Sequence, residues 1–313
     1  MRGLELARAY YEQFGRPMLE KQFPELLPHI AVGLFGSGSE CFGFDDDISR
    51  DHDFEPGFML LLPDEDVVSR RQAFLLERAY GKLPREFMGL RRGLMQPVGG
   101  PRHGVLRTAE FFMEKVGTPD GVLTVGHWLD TPEYALAEAV NGEIFFDGSG
   151  EVTAIRQRLS TWPEDIRKKK LSGCLLLMAQ SGQYNYLRCL AHGEKGAAQL
   201  AAIEFVRNCM SAVFLLNSVY QPYYKWAFRA MRELPRLSLL AELMEYLLTT
   251  DNDGDMAAEK ARVIEGVAAD VIAELRRQGL TQADCDDLEK HAYSVNDSIA
   301  DGDIRNLHIL AAV

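Results

Sequence analysis

Two acidic residues, Asp51 and Asp53, lie two positions apart at the start of a largely apolar run that continues to Leu62. Side chains alternate across the two faces of a β-strand, so these carboxylates would point to the same side. Neighbouring carboxylates repel each other unless a cation lies between them, and paired carboxylate oxygens suit Mg²⁺ or Mn²⁺. The spacing therefore predicts a divalent metal site at Asp51 and Asp53.

A second pattern precedes this pair. The apolar segment 29–35 predicts a buried strand, and it ends directly in Gly36-Ser37. A glycine turn lets the backbone approach a phosphate closely, and the turn also offers N–H groups and a hydroxyl. Together with a metal, such a turn suits phosphoryl or nucleotidyl transfer. The alternative is that Gly36-Ser37 is only a turn and that the two acids are solvated residues of an edge strand.

The order of these residues resembles a known signature. Gly36-Ser37, followed after thirteen residues by Asp51-His52-Asp53, resembles the motif of the DNA polymerase β-like nucleotidyltransferase superfamily. The segments 142–166, 180–194 and 215–231 resemble a bacterial domain-of-unknown-function branch that is distantly similar to kanamycin and lincosamide nucleotidyltransferases. The resemblance extends over residues 5–235. It implies that Gly36 and Ser37 hold the phosphates of an NTP and that Asp51 and Asp53 are catalytic metal ligands.

One part of the family pattern is missing. The superfamily usually supplies a third carboxylate from a later strand, but the matching segment, 104–107, carries Leu106 and Arg107 there. Loss of this group would weaken activation of an acceptor hydroxyl. A nucleotide-binding or regulatory protein of the same fold without catalysis is therefore an alternative. The candidate substitutes for the missing carboxylate are Glu110, Asp130, Glu143 and Asp147.

The later half of the chain concentrates aromatic and polar residues at 183–188 and 220–226. In the family that the sequence resembles, a helical half closes over the nucleotide. Tyr184 and Tyr186 would then stack on a base, and Lys225 would bind phosphate. The alternative is an aromatic interdomain core, with Lys225 extending its aliphatic stem along that core.

The formal net charge is −12, which disfavours nucleic acid as a partner unless basic residues form a concentrated face. Basic residues recur between Arg70 and Arg107, and four follow one another at 167–170. We interpret both groups as solvated helix faces, with a cationic rim for nucleotide phosphates as the alternative. The expected partners are a nucleotide and a small hydroxyl- or amine-bearing acceptor. A scaffold that binds a protein partner and no nucleotide is a further, weaker hypothesis.

The remaining patterns predict the architecture. Strands are predicted at 29–35, 51–62, 104–107 and 142–147, with helices between them, and the signal is helical after residue 153. Gly15-Arg16-Pro17 is expected to break the first helix, and a helix is expected over 65–81. We therefore expect an α+β fold: a nucleotidyltransferase-type mixed sheet flanked by helices in residues 1–150, then an all-helical bundle in 151–313.

The composition also predicts the cellular location of the protein. No run reaches the roughly 18 consecutive apolar residues of a membrane-spanning helix, and five scattered cysteines predict reduced thiols rather than a disulfide framework. A cytoplasmic protein without a membrane partner is expected. The predicted activity is Mg²⁺-dependent transfer of a nucleoside monophosphate from an NTP to the acceptor, with release of pyrophosphate.

Overall fold

The computed structural model describes residues 2–46, 55–92 and 102–313. The chain divides into two compact units. The first comprises Met1–His127 and Thr131–Ser160, and the second comprises Trp128–Asp130 and Thr161–Val313. The helix that follows the last strand, Glu151–Leu159, belongs to the first unit.

The first unit contains the strands of the described chain. They are β1 (Ala31–Leu34), β2 (Met59–Leu62), β3 (Glu86–Phe87), β4 (Leu90–Arg91), β5 (Gly104–Arg107) and β6 (Glu143–Asp147). Its helices are α1 (Gly3–Tyr10), α2 (Arg16–Gln22), α3 (Arg70–Gly81), α4 (Thr108–Val116), α5 (Val125–Asp130, whose last three residues belong to the second unit), α6 (Glu133–Val140) and α7 (Glu151–Leu159).

The second unit is helical. Its helices are α8 (Glu164–Met178), α9 (Leu187–Ala191), α10 (Lys195–Leu216), α11 (Tyr224–Arg232), α12 (Leu240–Thr249), α13 (Gly254–Arg277), α14 (Leu288–Asp297) and α15 (Gly302–Asn306). A wider π-helical segment, Ala179–Tyr186, continues α8 into α9. Among the described helices, α10 alone is long and apolar enough to cross a membrane, but more than half of that stretch is buried inside the protein, as in many core helices.

The main sheet is mixed, with the strand order β5-β2-β1-β6. β1 is antiparallel to both β2 and β6, and β2 is parallel to β5. The two central strands are buried along their whole length, which explains why their sequences are continuous apolar runs rather than alternating ones. The predicted α+β class, a mixed sheet with helices followed by a largely helical region, is confirmed.

The start of the chain differs from the prediction. Gly15-Arg16-Pro17 does not break the first helix, because α1 continues through a π-turn, Tyr11–Gly15, directly into α2. Pro17 is the second residue of α2, where a missing N–H costs little. Gly15 has helical dihedral angles, and a Cβ there would lie 2.4 Å from Cζ of the buried Phe58. This glycine therefore allows close packing instead of ending a helix.

The four basic residues at 167–170 fit neither interpretation given for them, a solvated helix face or a cationic rim for nucleotide phosphates. Lys169 is fully buried, and its Nζ donates to the carbonyl oxygens of Leu307 and Arg305 at 2.6 and 3.3 Å and to Oδ1 of Asn296 at 2.9 Å. Lys168 donates to the carbonyl of Ser298, and Lys170 to those of Leu129 and Ala312. Three consecutive amines of α8 thus bind main-chain carbonyls that mostly belong to the segment 296–312. They form neither a solvated face nor a phosphate rim.

We expect Lys169→Met to lower the free energy of unfolding of the helical unit by about 1–3 kcal/mol, because it leaves buried carbonyls without their donor. Lys168→Met is the matched control, since it removes one bond from a half-buried side chain and should cost only about 0.5 kcal/mol. Urea denaturation measures both. Equal losses for the two variants would contradict this account of the lysines.

Candidate functional site

The Gly36-Ser37 turn follows β1 directly. Gly36 has φ +105°, which favours glycine, and its N–H and C=O both bond to the side-chain amide of Asn141 at 2.8 Å. Gly38 has φ +141°, and a Cβ there would lie 2.5 Å from Oε1 of the buried Glu40. The hydroxyl of Ser37 has no partner within the described part of the chain. Among the bonds that the described residues form, both backbone groups of Gly36 are therefore occupied and the Ser37 hydroxyl is not.

A cavity of about 230 Å³ opens beside this turn. Its lining comes from residues 35–37, which follow β1, from the first residue of β2, and from residues in or next to β5 and α4. Its apolar wall consists of Phe35, Met59, Leu106 and Phe111, with the rings of Phe35 and Phe111 in edge-to-face contact at 5.1 Å. The polar side chains that line it are Ser37, Arg102, Glu110, Glu114 and Lys115.

Lys115 forms a close ion pair at the edge of the cavity. Its Nζ lies 2.8 Å from Oε2 of Glu138 and 3.4 Å from Oε1 of Glu114. The Lys115 and Glu138 side chains are only 13% and 12% exposed, whereas Glu114 is exposed. Burial alone would lower the pKa of Lys115, but the hydrogen bond and charge of Glu138, with a smaller contribution from Glu114, raise it. Lys115 therefore stays charged at neutral pH.

Glu40 lies beneath the turn, next to Gly38, and is buried. Burial raises the pKa of the Glu40 carboxyl, although the charges of Arg102 and His103 partly oppose this effect. His103 also contacts Glu55, whose Oε1 is 3.3 Å from Nδ1 of the imidazole. Titratable groups therefore surround both the turn and the point where the chain enters β2.

The predicted metal ligands Asp51 and Asp53 lie outside the described residues, so the metal site stays a prediction. Across residues 2–46, 55–92 and 102–313, no three His, Cys, Asp or Glu side chains come together as a metal-binding set. The nearest described residue after the pair is Glu55, which contacts His103. His103 directly follows Arg102, a residue that lines the cavity.

The candidate third carboxylates fall in different places. Asp147 caps α7 by accepting from the N–H groups of Gly150 and Thr153, and Glu143 pairs with Arg8. Asp130 belongs to the second unit. Of the four candidates, Glu110 is the one that lines the cavity beside Ser37.

The expected position of the third carboxylate is occupied by structural side chains. Leu106 belongs to the cavity wall, while Nη1 of Arg107 donates to the carbonyls of Pro63 and Val68 at 2.5 and 2.8 Å. The guanidinium of Arg107 therefore ties β5 to the chain that precedes α3. A cationic role for Arg107 towards phosphate has no support in these contacts.

Tyr184 and Tyr186 have opposite surroundings in the helical unit. Tyr186 is fully buried, and its hydroxyl donates to Oδ1 of Asn252 at 2.9 Å, so the expectation that it stacks on a base is wrong. Tyr184 is 59% exposed and lines a cavity of about 590 Å³ within that unit. The same cavity is lined by the carboxylates of Asp286, Asp287 and Glu289.

Those three carboxylates disfavour a phosphate beside Tyr184. Lys225 is exposed on α11 and is absent from the described lining of that cavity. Its Nζ lies 4.9 Å from the ring centre of Trp226, a cation–π contact. A nucleotide-binding role for Tyr184 and for Lys225 stays a prediction.

Sequence reasoning missed Lys115 and Asn141. Nothing local marks either residue, because each depends on a partner far along the chain: Glu138 is 23 residues from Lys115, and Gly36 is 105 residues from Asn141. Arg102 was included in the basic group between residues 70 and 107. It is the described member of that group that lines the cavity beside the turn.

A family model described as a domain of unknown function (DUF4037) matches residues 128–227, which is less than half of the chain. The structure is similar to that of a nucleotidyltransferase-like protein from Exiguobacterium sibiricum 255-15, with 11% sequence identity and a TM-score of 0.40. That likeness covers 92% of this chain and 81% of the other. No curated protein matches the sequence. None of these comparisons identifies an activity or a substrate.

We expect Glu138→Gln to lower the free energy of unfolding by about 1.5–3 kcal/mol, because it weakens a hydrogen-bonded ion pair that is largely removed from water. Glu114→Gln is the control and should cost less than about 1 kcal/mol, because Glu114 is exposed and farther from Nζ. Chemical denaturation of both variants, of Lys115→Met and of the two corresponding double variants gives the coupling energies.

The pair also predicts a pH dependence. The pKa of Lys115 is higher in the folded chain than its ordinary value of 10.5. The stabilisation is therefore complete below pH 10.5 and declines as the pH rises through the folded value. Glu138→Gln should remove this decline, and an unchanged alkaline profile would contradict the assignment.

Proposed function

We propose that this protein is a Mg²⁺-dependent nucleotidyltransferase that moves a nucleoside monophosphate from an NTP to a small hydroxyl- or amine-bearing acceptor. The observation that carries the proposal is the cavity beside the Gly36-Ser37 turn. It combines a serine hydroxyl without a described partner, two basic side chains, Arg102 and Lys115, and the carboxylate of Glu110. Phosphate transfer needs these three kinds of group at one place.

The charges of the cavity support a metal-bound nucleotide rather than a free one. Arg102 and Lys115 are balanced by Glu110 and Glu114, so a free triphosphate meets little net attraction. A divalent ion held by Asp51 and Asp53, as the family resemblance implies, would neutralise phosphate charge during transfer.

The chemistry is a displacement at the α-phosphorus. An oxygen or nitrogen of the acceptor forms a bond to that phosphorus, the bond to the bridging oxygen breaks, and pyrophosphate leaves. The acceptor proton passes to a base, and we assign this role to Glu110 because Leu106 and Arg107 occupy the position of the usual carboxylate. The Ser37 hydroxyl and the Lys115 ammonium would bind phosphate oxygens.

The alternative is a nucleotide-binding or regulatory protein that lacks catalysis. One observation favours it: Glu110 is exposed on the first turn of α4, without the fixed contacts that hold Lys115. An exposed base is less well oriented than one whose side chain is fixed by packing and hydrogen bonds. Binding and transfer therefore need separate measurements.

We expect ATP, GTP, CTP or UTP with Mg²⁺ to bind the parent chain in calorimetry. The double variant Asp51→Asn/Asp53→Asn should lose at least about tenfold in affinity, equivalent to about 1.4 kcal/mol, because both metal ligands lose their charge. Titration without Mg²⁺ is the control and should bring the parent chain down to the level of the variant. If no NTP binds the parent chain, both the enzyme and its non-catalytic alternative are wrong.

Glu110→Gln should lower the rate of pyrophosphate release by at least about 100-fold with an accepted substrate, because a positioned base contributes that much or more. The affinity for Mg²⁺·NTP should stay within about twofold of the parent value, or less than about 0.5 kcal/mol. Glu114→Gln is a matched control, since it lies one helical turn away on the same cavity. Equal rates for the two variants would contradict the role of Glu110. NTP binding without pyrophosphate release from any acceptor would favour the non-catalytic alternative.

A further inference from the structure

The loop between α6 and β6 reaches the far side of the Gly36-Ser37 turn. The Asn141 amide accepts from the N–H of Gly36 and donates to its C=O, both at 2.8 Å. This pairing uses the same two backbone groups that a neighbouring β-strand would use. It therefore fixes the orientation of the peptide groups on both sides of Gly36, at the point where β1 has already ended.

The next residue of the loop, Gly142, adds a second bond between the loop and the chain around the turn. Gly142 donates its N–H to the carbonyl of Cys41 at 2.9 Å, so the loop is bonded to the chain both before and after Ser37. Gly142 has φ +62°, and a Cβ there would lie 2.2 Å from the carbonyl oxygen of Leu34. Any larger residue would push the loop away from the turn.

Arg156 of α7 forms hydrogen bonds with this loop. Its Nη2 donates to the carbonyl of Val140 at 2.7 Å and also to the carbonyl of Asn141. The guanidinium carbon lies 4.6 Å from the ring centre of Phe35, the residue before the turn. Within the described residues, no carboxylate forms an ion pair with Arg156, and burial lowers the pKa of its guanidinium to about 10. The charged guanidinium of Arg156 therefore contacts main-chain carbonyls and an aromatic ring, and it pairs with no described acid.

We propose that Asn141 and Arg156 are positioning residues that orient Ser37 for the phosphates of the bound nucleotide. The inference rests on the proposed function and extends it to two residues outside the cavity lining. Because both backbone groups of Gly36 are bonded to Asn141, the phosphate contact of the turn belongs to Ser37, whose orientation follows from the peptide that Asn141 fixes. The partly buried charge of Arg156 also favours an anion nearby, since no acid among the described residues forms an ion pair with it.

The test compares Asn141→Ala, Arg156→Met and the conservative Arg156→Lys with Tyr10→Phe in the full chain. Tyr10→Phe removes a hydrogen bond from a buried side chain to the carbonyl of Pro84 in the same unit, so it controls for lost stability. We expect Asn141→Ala and Arg156→Met to weaken binding of Mg²⁺·ATP at least about tenfold, or about 1.4 kcal/mol. Arg156→Lys, which keeps the charge, should recover part of this loss. Tyr10→Phe should bind as the parent does.

Hydrogen exchange supplies a readout that needs no nucleotide. The amides of residues 36–38 should exchange faster in Asn141→Ala and in Arg156→Met than in Tyr10→Phe. Each variant is measured at the same interval below its own Tm. If the parent binds Mg²⁺·ATP and Asn141→Ala binds it equally well, the positioning role is wrong while the proposed function stands. Equal losses of affinity in Asn141→Ala and Tyr10→Phe would also overturn it. If the parent binds no NTP, the proposed function fails and this inference fails with it, whatever the exchange rates are.

Discussion

The double hydrogen bond between the Asn141 amide and the backbone of Gly36 fixes the turn around which the candidate site is built. It depends on the sheet order, because β1 lies between β2 and β6 and the chain that enters β6 therefore passes beside the end of β1. On the other flank, β5 is two strands away and leads directly into α4, which carries Glu110 in its first turn and Lys115 in its last turn. The cavity is thus formed by segments that are distant in sequence, and each is held in place by strand pairing rather than by local turns.

The two units offer ligands different electrostatic surroundings. The cavity beside Ser37 pairs acidic with basic side chains, so its net charge changes sign easily when a metal ion or a phosphate binds. The cavity beside Tyr184 in the helical unit is lined by acids, although the exposed Tyr184 ring packs against Arg188 at 4.8 Å. An anion therefore finds its better partners in the first unit. This contrast explains why the turn, and not the aromatic cluster of the helical half, is the stronger candidate for phosphate.

Local patterns predicted the elements better than they predicted the contacts. The apolar runs 29–35, 51–62 and 142–147 contain β1, β2 and β6, and the short segment 104–107 matches β5 completely. The strand predicted over 51–62 is too long, because β2 begins only at Met59, after Pro56 and Gly57. The helix expected over 65–81 begins only at Arg70, because Ser69 supplies the N-cap and pairs with Gln72. Tyr184 and Tyr186 are about 200° apart on any α-helix, so their spacing alone argues against a shared ring face. The contacts of Lys115, Lys169 and Asn141 depend on residues dozens of positions away, which no local pattern encodes.

The lysines of α8 have one more consequence, which concerns temperature. The free energy of hydrating a charged group becomes less favourable as temperature rises, so the cost of burying Lys169 and Lys170 decreases on warming. Apolar contacts have no comparable gain from lost ion hydration. The free energy that attaches the segment 296–312 to α8 should therefore decrease less on heating than that of a purely apolar contact, and it should be smallest at low temperature.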